Sequence, residues 1–380
     1  MSLLRNAVVR FFVLSLLLVG LPLLGVWLAG RPLAPYLQFP PVPTVREQAP
    51  FSWTAFALLA LLPLLFVGLL VAWLQRPVHA APLATATRAR SFPVWGWFGV
   101  LLLAASWGLA WSPQGDTAAL RPYTFTPLWI GYILVVNALA CRQTGRSLLT
   151  DRPGCFLALF PLSTLFWWYF EYLNRFVQNW YYDGVGSFGA WAYVAAASVA
   201  FSTVLPAVLS TWHWLAALPS LGANRGEFLP VRVRRRKMLA WLMLLVAGGG
   251  LAGIGVWPQY LFPLLWLSPL LILVPLQMLA GERTVLSNVR RGDWRPVFVS
   301  GIAALICGFF WEMWNYHSLA RWEYSIPFVH RFEVFEMPLL GYAGYLPFGL
   351  ECVVAVDQIA RFRAAGLTTL GLPQLRPTEN

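Results

Sequence analysis

Apolar residues run along this chain in long blocks, separated by short breaks rich in arginine or proline. Ten blocks, at about residues 7–30, 51–74, 94–112, 124–141, 154–178, 191–217, 238–257, 259–280, 297–316 and 337–357, approach or exceed the ~20 residues a helix needs to cross a bilayer core. The pattern predicts an all-α polytopic membrane protein with about ten transmembrane helices. The breaks at 31–50, 75–93, 219–237 and 319–336 are too short to enclose a core, so no extramembrane domain is expected. Residues 39–50 carry four prolines and read as an extended loop, because proline forbids regular helix. Pro206, Pro263, Pro269, Pro275 and Pro347 fall inside blocks, where they free carbonyls and bend helices around cavities.

Composition supports the same class. Of 380 residues 59% are hydrophobic and only 11% charged, with mean hydropathy +0.63, which no soluble domain of this size matches. The net charge of +12 would suggest nucleic acid if it were spread over a surface, but it is not. Arg5, Arg10, Arg76, Arg88, Arg90, Arg142, Arg146, Arg152, Arg225, Arg232, Arg234, Arg235, Arg236 and Lys237 fall in alternate breaks. So do Arg283, Arg290, Arg291, Arg295, Arg361, Arg363 and Arg376. The other breaks hold only Arg31, Arg46, Arg121, Arg321 and Arg331, with Arg175 at the end of the fifth block. The bias predicts cytoplasmic N- and C-termini in a cell (inner) membrane, with the basic loops against anionic headgroups and no nucleic-acid partner. The first block extends to Ala29 without a small-residue cleavage site, so it reads as a retained span rather than a signal peptide. Cys141, Cys155, Cys307 and Cys352 have no metal-ligand spacing and imply no disulfide framework.

Two blocks end alike. One reads Phe166-Trp-Trp-Tyr-Phe-Glu171-Tyr-Leu-Asn174, then Trp180-Tyr-Tyr182; the other Phe309-Phe-Trp-Glu312-Met-Trp-Asn315, then Trp322-Glu-Tyr324. Pro127-Leu-Trp129 and Pro263-Leu-Leu-Trp266 open the preceding blocks of each half. These matches predict a two-span hairpin with its cytoplasmic loop (1–93) and two parallel four-span repeats (94–237 and 238–380, the latter with a cytoplasmic tail). Parallel repeats often enclose a binding site where they meet.

Glutamate and asparagine three apart share a helix face, and a carboxylate at membrane depth is costly enough to mark a functional site by default. We therefore expect Glu171, Glu312, Asn174 and Asn315 to be catalytic, each acid held by its amide and exchanging protons with a substrate. Helix-to-helix hydrogen bonding by the same groups is the structural alternative. Trp168, Tyr182, Trp311, Trp322, Tyr324, Glu336 and Glu351 are the expected substrate-binding residues. Aromatic faces beside an acid suit protonation of an alkene, although an interfacial aromatic belt would use the same rings. Gly341, Gly344 and Gly349 allow close approach of a helix or ligand. Arg175 is expected to reach the headgroups or to pair with Glu171. No nucleotide loop, zinc pattern or histidine cluster occurs, His79, His213, His317 and His330 being scattered, so no metal or cofactor is expected.

The order acid, Trp-x-Tyr, then a Glu-Pro-containing span resembles the integral-membrane lycopene cyclases and related carotenoid hydratases. The matching positions are Glu312, Trp322, Tyr324, Glu336 and Glu351, with Glu171, Trp180 and Tyr182 in the other half. The resemblance implies tandem helical repeats whose carboxylates act on a polyene by proton transfer. The chain lacks the paired adjacent glutamates of those cyclases, and its units have four spans rather than three. The resulting expectation is a cofactor-independent membrane enzyme acting on an isoprenoid or other lipid, a cyclase, isomerase or hydratase, with membrane lipids and a hydrophobic small molecule as partners. A proton-coupled carrier and a non-catalytic subunit of a membrane assembly, or a homo-oligomer, remain open alternatives.

Overall fold

A computed structural model describes residues 7–41, 47–78, 90–112, 119–186, 188–221 and 227–363. Arg5, Arg46, Arg88, Arg225, Arg376, His79 and the tail beyond 363 lie outside them. The chain is predominantly helical. We label its principal helices α1 (Val8–Leu28), α2 (Trp53–Leu74), α3 (Val94–Ala110), α4 (Phe125–Thr144), α5 (Pro153–Val177), α6 (Ala190–Ala216), α7 (Arg236–Gly253), α8 (Pro263–Leu279), α9 (Arg295–Asn315) and α10 (Tyr345–Arg363). Seven candidate spans among the described residues are long and apolar enough to cross a membrane: α1, α2, α4, α5, α6, α9 and α10, two of them (α4 from Arg121 and α10 from Leu339) counted with a few flanking residues. The helices α3 and α8 are 17 residues each, and α7 starts on Arg236 and Lys237 and contains Gly248, Gly249 and Gly250, which lowers its hydropathy.

Packing centres on α6, α9 and α10. The helix α9 lies between α6 and α10, α8 backs α10, α5 backs α6, and the pairs α3–α4 and α7–α8 flank them. Leu58, Leu61, Leu64 and Leu65 of α2, Trp97, Phe98 and Leu101 of α3, and Trp241, Leu242 and Leu245 of α7 are exposed. So broad an apolar surface is what a bundle presents to lipid.

Local chemistry sets the element ends. The helix α4 stops at Gly145, whose φ of 79° lets its N–H reach the Cys141 carbonyl at 2.7 Å. The helix α5 opens on Pro153, where the absent N–H costs nothing. It ends on Gln178 at φ 52°, where the Gln48 amide donates to the Val177 and Gln178 carbonyls at 3.0 and 3.1 Å. A five-residue π turn, Leu16–Gly20, interrupts α1, and the Tyr172 hydroxyl of α5 donates to the Val19 carbonyl inside it at 2.6 Å.

Two expectations change. Pro263 and Pro347 lie in the first turns of α8 and α10 rather than inside them, while Pro161 in α5 is interior. The tenth block does not begin its helix at 337; residues Leu339–Gly344 form a 3₁₀ turn, because Pro338 and two glycines delay regular winding until Tyr345.

Two short strands, β1 (Trp180–Asp183) and β2 (Arg321–Tyr324), follow α5 and α9 and pair antiparallel. Trp180 stands opposite Tyr324, Tyr181 opposite Glu323, Tyr182 opposite Trp322 and Asp183 opposite Arg321. Each Trp-x-Tyr thus meets the other in reverse, so a two-fold axis passes between Tyr181 and Glu323. This ribbon was not expected from the sequence, where four residues after a span read as loop.

Candidate functional site: an aromatic cavity under a ribbon

Side chains alternate across a strand with a period of two. Trp180, Tyr182, Trp322 and Tyr324 therefore point to one side of the ribbon and line a cavity of about 470 Å³. Tyr181, Asp183, Arg321 and Glu323 share the other side. There the Tyr181 hydroxyl donates to Glu323 Oε2 at 2.7 Å, and Arg321 Nη2 approaches Glu323 at 2.7 Å and Asp183 at 3.9 Å. The bond to Glu323, with partial burial, pushes the Tyr181 phenol up to about 12. Burial, offset by Arg321 and reinforced by Glu323 and Glu333, raises the Glu336 carboxyl above its ordinary value. The cavity floor is built by Trp167 of α5, Tyr193 of α6, Trp266 of α8, Trp311 of α9 and Tyr345 and Phe348 of α10. Its volume falls within the roughly 300–1,000 Å³ of small-molecule sites. Among the described residues, no Asp, Glu, Lys, Arg or His side chain lines the cavity.

Both expected acids stand one layer behind that lining. Glu171 is 8% exposed and Glu312 fully buried. Glu171 Oε1 accepts from Trp167 Nε1 at 3.1 Å, Trp180 Nε1 at 3.0 Å and the Tyr182 hydroxyl at 2.6 Å. Glu312 Oε1 accepts from the Tyr324 hydroxyl at 2.8 Å and the Tyr345 hydroxyl at 2.6 Å, and Trp322 Nε1 donates to the Tyr324 oxygen at 2.9 Å. Burial, with the neighbouring carboxylates, holds the Tyr182 and Tyr324 phenols well above their ordinary range. Every donor to the two acids is a cavity-lining ring. The carboxylates can therefore orient those rings and exchange protons through their hydroxyls, but they do not face the cavity themselves.

The asparagines do something other than hold the acids. Asn174 Oδ1 accepts from the Asn179 N–H at 2.8 Å and the Trp180 N–H at 3.4 Å, and its Nδ2 donates to the Trp180 carbonyl at 2.7 Å. Asn315 grips β2 the same way, accepting from the Trp322 N–H at 2.9 Å and donating to its carbonyl at 2.7 Å. One helical turn after each acid, the amide meets strand backbone instead of carboxylate, because the chain folds back over the helix end. Both asparagines are positioning residues in this geometry.

Of the expected binding residues, Tyr182, Trp311, Trp322 and Tyr324 line the cavity, and Trp168, Glu336 and Glu351 do not. Trp168 turns to α6, donating to Ser198 Oγ at 2.9 Å. Glu336 sits outside the ribbon, near Arg321. Glu351 is buried against α8, where the Leu270 N–H approaches it at 3.4 Å; the proline at 269 cannot donate. The stretch around Gly341 and Gly344 is a cavity wall. Arg175 donates to the carbonyls of Tyr36 and Gln38, in the break before α2, at 3.0 and 2.8 Å, and its charge also acts on Glu171. Trp167, Asn179, Tyr193, Trp266, Tyr345 and Phe348 also line the cavity, although none was among the expected binding residues. Only the i, i+4 spacing of Trp167 and Glu171 could have flagged one of them.

Fold and site together define a multi-pass helical membrane protein with an uncharged aromatic cavity closed by a two-stranded ribbon. No protein-family model, curated protein or solved structure matches the chain.

Proposed function

We propose that this protein binds a hydrophobic molecule, an isoprenoid or other lipid, in the cavity and acts on it by proton transfer through Tyr182 and Tyr345 or Tyr324. Glu171 and Glu312 hold or supply the proton behind those phenols. The observation that carries the reading is that two buried carboxylates on separate helices each bond to hydroxyls lining one cavity. Within it, the ten helices form an N-terminal hairpin and two parallel four-helix repeats, with α3–α4 matching α7–α8 and the ribbon axis relating the halves. The arginine bias puts both termini in the cytoplasm and the ribbon at the outer face. General acid–base groups contribute about 10²–10⁴-fold to rate. Mass spectrometry of lipids co-purifying with the protein and with its Glu171→Gln/Glu312→Gln and Tyr182→Phe/Tyr345→Phe variants tests the reading. A specific unsaturated lipid should be enriched with the wild type and accumulate in altered form with both variants. Bulk phospholipid alone in all three samples would sink it.

A proton-coupled carrier has one observation of its own, the two-fold register of the ribbon, since carriers are commonly built from repeats around a central site. It requires pH-gradient-dependent flux in proteoliposomes.

A further inference from the structure

Asn179 sits between α5 and β1 and is 2% exposed, yet neither its Nδ2 nor its Oδ1 has a hydrogen-bond partner. Buried polar atoms are nearly always paired, and a carboxamide with both ends unmet is costly to keep. Asn179 is also a lining residue of the aromatic cavity. Among the described lining residues it is the one whose buried polar side-chain atoms lack partners. The Trp167, Trp180, Tyr182, Trp322, Tyr324 and Tyr345 donors are all engaged with the two acids or with one another.

The backbone that carries this side chain is fixed on both sides. Its own N–H is taken by Asn174 Oδ1, and its carbonyl accepts from the Ser325 N–H at 2.8 Å, which ties it to the residue after β2. The left-handed turn at Gln178, pinned by Gln48, fixes the direction from which it enters. A group so placed is preorganised, and preorganisation is what makes one polar contact in an apolar site selective.

We propose that Asn179 is the headgroup-recognition residue of the cavity, and that the ligand is an uncharged amphiphile with one group that both donates and accepts, a hydroxyl or carboxamide, on an apolar body. A carboxamide offers one donor edge and one acceptor edge, which a neutral hydroxyl or amide satisfies together. An anionic head would meet an oxygen lone pair and two carboxylates behind the rings, with no cation among the described lining residues to offset them. A plain hydrocarbon would leave the amide unmet. This assignment rests on the cavity being a ligand site, as proposed above, and narrows the ligand to one chemical class.

Native mass spectrometry of the full chain released from detergent micelles, with 1-hexadecanol, hexadecane and hexadecyl phosphate in competition, tests it. Wild type should retain hexadecanol in preference to the other two, and Asn179→Leu should lower hexadecanol retention about tenfold while leaving hexadecane unchanged. Ligand-free Asn179→Leu should also melt no lower than wild type, because the amide it removes has no partner to lose. A preference for hexadecanol that survives in Asn179→Leu, a preference for the phosphate, or a lowered melting temperature would overturn the assignment. Equal binding of hexadecane and hexadecanol by both proteins would overturn it while leaving the cavity reading intact. No retention of any probe by wild type would overturn both.

Discussion

Asn174 and Asn315 turn a helix end into the foot of a strand. Each side chain supplies an acceptor for strand N–H groups and a donor for a strand carbonyl, so the backbone that leaves the helix is paired at once. Replacing either by alanine strips those bonds from buried backbone, a cost of about 2–4 kcal/mol. Asn174→Asp keeps the acceptor and loses the donor, so it should fall between alanine and wild type. Melting curves in detergent, with tryptophan emission reporting on Trp180 and Trp322, give the order wild type, aspartate, alanine; equal curves for all three would refute the role. The sequence made these residues visible through their spacing from the acids, but spacing reports a shared helix face and not where the chain goes next. That is why the acids were legible as buried and the amide partners were not. Asn179 was legible only as a polar residue near a span end, since the emptiness around an amide is a property of assembled walls.

At the scale of elements, α9 begins beside a carboxylate lock. Asp293 Oδ1 accepts from Arg295 Nε at 2.9 Å, and its Oδ2 from Arg295 Nη2 at 2.9 Å and Asn288 Nδ2 at 3.2 Å. Burial alone would raise this carboxyl, but the Arg295 guanidinium outweighs it and holds the group below its ordinary value. A depressed folded-state value means the stabilisation is present above the unfolded value of about 3.9 and fades as pH falls through the folded one. Asp293→Asn should thus be less stable than wild type near neutrality and lose less between about pH 4 and 2, measured by thermal melts across that window. Parallel curves for the two proteins would refute it. Helix existence was readable from apolar run length. The 3₁₀ turn at Leu339–Gly344 and the ribbon were not, because a short run of aromatic residues beyond a span fits an interfacial belt equally well.

Across the whole molecule the cavity reaches the margin of α2, where Leu59, Leu62, Pro63 and Phe66 line it and Leu62 is 64% exposed. Its packed contacts run mainly to the Leu339–Gly344 turn, so α2 borders the cavity without sealing it. If the cavity holds a lipid-borne ligand, as proposed, the expected route is sideways past α2 and not through the ribbon. Leu62→Trp should slow loading of hexadecanol severalfold without altering the melting temperature. A Tyr181→Cys/Glu323→Cys cross-link should leave loading unchanged; cross-strand partners lie about 4.5–5.5 Å apart, within disulfide reach. Slowed loading in the cross-linked protein and normal loading in Leu62→Trp would reverse the route. The ribbon has a mechanical consequence as well. Its strands are anchored to α5 and α9, and sliding one past the other by a single residue would turn the two inward rings of the strand that moves outward. The paired strands thereby tie together the ends of α5 and α9 that carry Glu171 and Glu312, so the spacing of the two acids is set by a backbone ladder as well as by helix packing.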